Sequence, residues 1–235
     1  MPSYLITGAS RGLGLSFAKE LLQDPANKVI ATARNTAGAA GLQGLAAQYP
    51  RDRLVLLDLD VTKDNSIENL AAEIDTVLPD GLDNLISNAG LNPQPLASFE
   101  DLDLASFEEE LVFSIISTVK LLRALLPSVK KGNDKKILVL SSVLGSIETA
   151  YHMPGLSNPY SVAKASLNML IRKWSATLKN DGITTILVHP GWVKTTEVGD
   201  AIKPWMDKYA PNMLRDATIK DNGSFFNYDG NLMAW

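Results

Sequence analysis

Short apolar runs alternate along this chain with longer segments in which apolar residues return every three or four positions. Tyr4-Leu5-Ile6, Val29-Ile30-Ala31-Thr32-Ala33, Leu54 to Leu59, Leu82 to Ser87, Ile137-Leu138-Val139-Leu140 and Ile183 to His189 have the length and continuity of strands buried on both faces. Between them, Leu13, Phe17 and Leu21 share one helical face, ending near Asp24-Pro25. A weak, glycine-interrupted helix is expected within Thr36 to Gln48, another helix up to Val77, and a long core helix from Leu104 to Leu126, stopped by Pro127. From Pro159 a last helix passes through Leu167, Leu170 and Trp174 and ends at Gly182. Ser224 to Tyr228 reads as a further strand. This alternation predicts an α/β fold, a doubly wound parallel sheet of about seven strands with helices on both faces.

A chain of 235 residues, 46% of them hydrophobic, can bury one large core, so residues 1–235 read as a single domain. There is no run of twenty uninterrupted apolar residues and no cysteine, and the first strand begins at Ser3. A soluble cytoplasmic protein is expected, without a targeting segment or a membrane association. A formal net charge of −4 excludes the broad basic field of a nucleic-acid binder, so any anion site must be built locally.

Such a site is suggested by Thr7-Gly8-x-x-x-Gly12-x-Gly14, which follows the first strand and opens the first helix. Gly8 would make the tight turn, Gly12 would admit a phosphate, and Gly14 would let the helix pack on the strand, as in Rossmann-like nucleotide sites. The free N–H groups there, with Ser10 and Leu13 in the turn, would hold a pyrophosphate. Arg34 follows the second strand where an acidic residue would select NAD(H). With Arg11 as a second cation, each close charge pair being of order 4 kcal/mol before desolvation, NADP(H) is the expected cofactor. The alternative is two solvated surface arginines. Asp60-Val61 would hold an adenine edge, while Thr62 or Asp64 would cap the next helix. Asn88-Ala89-Gly90 is either a close backbone approach to a ligand or a plain turn. With Ser141-Ser142 and Pro190-Gly191, these segments each follow a strand and therefore converge on one edge of a parallel sheet.

A nicotinamide at that edge requires a proton donor for a carbonyl oxygen. Tyr160 and Lys164, four apart on one helix, would supply it, the ammonium drawing the phenol from its ordinary pKa of about 10 toward neutrality. Ser142 would orient the carbonyl. His189, before a proline, reads as structural, and His152 as a pocket candidate or plain surface. No metal site is expected.

Together, Thr7-Gly8-x-x-x-Gly12-x-Gly14, Asn88-Ala89-Gly90, Ser142, Tyr160-x-x-x-Lys164 and Pro190-Gly191-x-Val193-x-Thr195 resemble the short-chain dehydrogenase/reductase pattern across nearly the whole chain. The wording around Ser141 to Ser146, from His189 through Trp192 to Thr195, and Asn227 to Gly230 with Trp235 is similar to the sniffer-type and C-factor-like carbonyl reductases. That resemblance implies NADPH-dependent reduction of ketones, aldehydes or quinones, with Gly191, Trp192, Val193 and Thr195 at the nicotinamide end. A homodimer is an assembly it allows. Two departures stand out: Ser114 occupies the position of the asparagine that holds a relay water, and the substrate-covering segment around 196–223 is shortened. A catalytically weak NADP(H)-binding sensor is the competing reading.

Overall fold

In the computed structural model, residues 1–95, 97–98, 100–191 and 216–235 are described. Strands β1 (Ser3–Ile6), β2 (Lys28–Ala33), β3 (Leu54–Asp58), β4 (Asn84–Ser87), β5 (Lys136–Leu140), β6 (Thr184–Val188) and β7 (Phe225–Phe226) form one sheet in the order β3-β2-β1-β4-β5-β6-β7. Every pairing between these strands is parallel. The principal helices are α1 (Gly12–Leu21), α2 (Ala40–Ala46), α3 (Asp64–Val77), α4 (Leu104–Lys131) and α5 (Asn158–Leu178).

Both faces of the sheet are buried, which is why the strand runs are apolar without alternation. Tyr4, Ile6, Val29, Ala31, Leu138 and Ile186 point to one side, against Phe17 and Leu21 of α1 and Leu42 of α2. Leu5, Ile30, Ile137, Val139 and Leu187 point to the other, against Ile74 of α3, Leu125 of α4 and Ile171 of α5. By length and composition α4 could cross a bilayer, but its Leu121, Leu125 and Val129 are spent on this core.

Two local expectations are corrected. Proline does not stop α4 at Leu126: the helix continues through Pro127 to Lys131. The missing hydrogen bond is offset by burial of Val129 and by anchoring of Ser128, whose hydroxyl donates to Asp75 at 2.8 Å while its carbonyl accepts from Leu82 N–H at 2.9 Å. Residues Val112–Ser117 of α4 also form a π-helical turn, an inserted register shift that a three-and-four spacing rule does not register. Neither Thr62 nor Asp64 caps α3; Lys63 stands at its N-cap and makes no side-chain cap bond.

The chain runs from β1 outward to β2 and β3, then crosses back to place β4 on the other side of β1. The crevice beyond the carboxyl ends of β1 and β4 is therefore the topological switch point, where folds of this kind bind ligands.

Candidate active site

The turn between β1 and α1 owes its shape to glycine. Gly8 and Gly12 have φ of +68° and +58°, in the left-handed region. A Cβ on Gly14 would lie 2.5 Å from the Gly8 carbonyl oxygen and 2.6 Å from Asn88 Nδ2, so only glycine lets α1 approach this closely. Asn88 Nδ2 donates to the carbonyls of Thr7 and Gly8, at 2.8 and 3.1 Å. The Thr7 hydroxyl accepts from the N–H groups of Asn88 and Ala89, at 3.0 and 3.1 Å. The Asn88 side chain is thus engaged in holding the glycine turn. At the start of α1, Arg11 has extended backbone, no side chain caps the helix, and its first turn carries no acid. Ser10 and Leu13 are half-buried in this turn. Its N–H groups and the positive end of the dipole therefore suit a phosphate, and a pyrophosphate fits the residues present.

Arg11 and Arg34 are both exposed, and neither forms an ion pair among the described residues. The loop carrying Arg34 is fixed by Asp58, at the end of β3, whose carboxylate accepts from Thr36 N–H at 2.8 Å and its hydroxyl at 2.7 Å. These bonds hold the Asp58 carboxyl below its usual range. Asp60 accepts in the same way from Thr62, while Asp60 N–H donates to Ser66 Oγ at 2.9 Å. Val61 is half-buried beside Thr7, Ser87, Ala89 and Phe113 around a small cavity.

On the other side of the crevice, Ser142, Tyr160 and Lys164 come together. Lys164 is buried, its Nζ 5.5 Å from the centroid of the Tyr160 ring and donating to the Leu140 carbonyl at 2.9 Å. The Ser142 hydroxyl lies close enough to the Tyr160 phenol to favour its charged form, and accepts from Leu144 N–H at 3.2 Å. Packing aligns the three: a Cβ on Gly145 would lie 2.9 Å from the carbonyl carbon of Lys164, and Asn168 ties both the Ser141 hydroxyl and, at 3.1 Å, the Gly145 carbonyl. Ser157, just before α5, holds a left-handed φ of +49° unusual for a residue with a side chain, with its N–H and hydroxyl both donating to the Pro95 carbonyl. That strained entry sets the direction of the first turn of α5, which carries Tyr160.

Electrostatics here departs from what the four-residue spacing suggests. Burial, then the charge of Glu110, pushes the Tyr160 phenol up to about 12, the nearby Ser142 hydroxyl opposing them. Lys164, lying over the ring, does not bring the phenol toward neutrality. Burial lowers Lys164 to about 8, with Glu110 opposing. Glu110 itself escapes a reading of the sequence, because Glu108-Glu109-Glu110 looks like a solvated run. Glu108 and Glu109 are exposed, whereas Glu110 is 0% exposed. Its spacing of three from Phe107 and four from Ser114 is the signal that it faces inward. Ser114 is buried within the π-helical turn, and its carbonyl accepts from the Thr118 hydroxyl at 2.8 Å.

His189 is buried, its Nδ1 without a partner among the described residues, and burial lowers it to about 4, so its imidazole is neutral. His152 is exposed and packs edge-on against Tyr151. Pro190 and Gly191 follow β6, Gly191 at φ +82° with Tyr228 against it. Trp192, Val193 and Thr195 lie outside the described residues, as does most of the 196–223 segment. Among the described residues, no three His, Cys, Asp or Glu side chains group as metal ligands.

The family described as short chain dehydrogenase matches residues 3–207. The chain belongs to this family of oxidoreductases. Among its short-chain dehydrogenase relatives is atnB of Arthrinium sp., 32% identical over 209 residues that cover 85% of this chain and 77% of that protein. Among solved structures, the chain is similar to NADPH-bound carbonyl reductase from chicken fatty liver, with 34% identity, a TM-score of 0.89 and coverage of 100% and 99% of the two chains. It is also similar to the carbonyl reductase Sniffer of D. melanogaster, with 31% identity, a TM-score of 0.91 and both chains covered in full.

Proposed function

We propose that this chain reduces the carbonyl group of a ketone, aldehyde or quinone with NADPH, and that Tyr160 donates the proton. The observation that carries this reading is the buried Lys164, its Nζ 5.5 Å from the centroid of the Tyr160 ring one turn back along α5, at the same sheet edge as the buried Ser142 and the glycine turn. NADPH, when bound, supplies the hydride. The uncapped start of α1 would hold its pyrophosphate, Arg11 and Arg34 its 2′-phosphate, and Asp60 and Val61 its adenine. Ala89 and Gly90, Pro190 and Gly191 would offer backbone to the nicotinamide half, and Lys164 would hold its ribose.

The residues then divide the work. Ser142 directs the carbonyl oxygen toward Tyr160, whose proton meets the developing alkoxide. Burial keeps the phenol in its acid form at neutral pH, the form that can give a proton to a carbonyl oxygen. The likeness to a reductase whose structure holds NADPH supports the cofactor assignment.

The test is NADPH and NADH binding by fluorescence, followed by NADPH consumption with a panel of ketones, aldehydes and quinones. The expected result is tighter binding of NADPH and turnover of at least one carbonyl, lost in Tyr160→Phe while binding persists. Tight NADPH binding with no turnover across the panel would mark a sensor or partner protein instead. Failure to bind NADPH would overturn both.

A further inference from the structure

Behind the Tyr160 and Lys164 pair lies a charged group that the proposed reduction does not yet use. Glu110 is fully buried, and neither carboxyl oxygen has a hydrogen-bond partner among the described residues. An acid placed so is costly unless water or a proton satisfies it. Among the described residues, Tyr160 and Lys164 of α5 are the titratable groups that feel its charge, while Glu108 and Glu109 beside it on α4 are exposed. Glu110 and Lys164 do not form a contact ion pair. Ser114, which stands where the family pattern has a water-holding asparagine, is four residues further along the same inward face, with a π-helical turn beginning between them.

We infer that Glu110 takes over the proton relay that Ser114 is too short to support, its carboxyl passing protons by way of water between Lys164 and solvent. This rests on Tyr160 being the proton donor. When a carbonyl is reduced, the Tyr160 phenol gives its proton to the carbonyl oxygen and becomes a phenolate. The Lys164 ammonium returns a proton to that phenolate and is left as an amine. Glu110 then gives its carboxyl proton to the amine and recovers one from solvent water, so each group ends as it began. The directions of the two shifts suit this route: burial raises the Glu110 carboxyl to about 7 and lowers the Lys164 ammonium to about 8, drawing their proton affinities toward each other. Glu110 acts through Lys164 and is a positioning residue.

Two measurements test it, one needing no turnover. In infrared titration of the protein alone, a protonated carboxyl band should disappear as pH rises through neutrality, be missing in Glu110→Gln, and persist to higher pH in Lys164→Met. In steady-state kinetics, Glu110→Gln should lower kcat by about tenfold, below the range of a direct acid catalyst. It should leave KM for the carbonyl unchanged and remove the neutral limb of the kcat profile, which Glu110→Asp should keep. A Glu110→Gln enzyme with the parent's kcat and pH profile overturns the relay while leaving the reductase reading intact. So does a carboxyl band that never titrates near neutrality. If the parent protein reduces no carbonyl, the reductase reading falls and the relay with it, whatever the infrared titration gives.

Discussion

The carboxylate of Asp58 grips Thr36 at both its backbone N–H and its hydroxyl, at 2.8 and 2.7 Å, two residues beyond Arg34. The clamp ties the end of β3 to the loop after β2 and presents the Arg34 guanidinium to solvent without an ion-pair partner among the described residues. Arg34→Ala should weaken NADPH by about tenfold or more and NADH by far less, because a single charge pair at a partly solvated site is of order a few kcal/mol before desolvation. Binding titrations with both nucleotides check this, and equal losses would remove the 2′-phosphate argument.

Two glycines should respond in opposite directions. Gly14→Ala drives a Cβ against the backbone oxygen of Gly8 and should cost roughly 1–3 kcal/mol while disturbing the nucleotide turn. Gly44→Ala, within α2 and with nothing within 4 Å of the added carbon, should stabilise by roughly 0.5–1 kcal/mol. Urea unfolding midpoints measure both. A neutral Gly14→Ala would show that α1 can retreat.

Two buried groups should tilt stability against each other as pH changes. Glu110 is raised from an ordinary 4.5 to about 7, so the folded state keeps a proton that the unfolded chain has released. Its contribution therefore falls as pH rises across that interval. His189 is lowered from 6.5 to about 4, so the unfolded chain takes up a proton that the fold refuses, and its contribution falls as pH drops. Each amounts to at most about 3 kcal/mol across its window. Relative to the parent, Glu110→Gln should gain stability between about pH 5 and about pH 7.5, and His189→Asn should lose it. Denaturant midpoints at the two pH values check the signs, and parallel curves for all three proteins would contradict them.

The sheet is legible in the sequence because both faces of every central strand are buried, and a continuous apolar run as short as Ile137 to Leu140 fits a central strand better than a helix. The glycine turn is legible because Gly8, Gly12 and Gly14 occupy positions where backbone geometry or a clash leaves little choice. What escapes is set by tertiary contact. Pro127 stays helical because Ser128 and Val129 are anchored beyond it, and the π-helical turn at Val112–Ser117 shifts register without altering composition. Glu110 hides in an acidic run, and the Asp58 to Thr36 clamp joins residues twenty-two apart. The direction of the Tyr160 shift is hidden too, because spacing reveals a nearby ammonium but not the burial that outweighs it.

The central claim is that the Tyr160 hydroxyl supplies the proton as hydride arrives from the nicotinamide. Single-turnover reaction of NADPH deuterated at the transferable position, with a carbonyl the parent enzyme accepts, tests it most directly. Deuterium at the carbinol carbon is expected with the parent protein, and rapid NADPH binding with almost no labelled alcohol from Tyr160→Phe. Labelled alcohol formed by Tyr160→Phe at the parent's rate would contradict it.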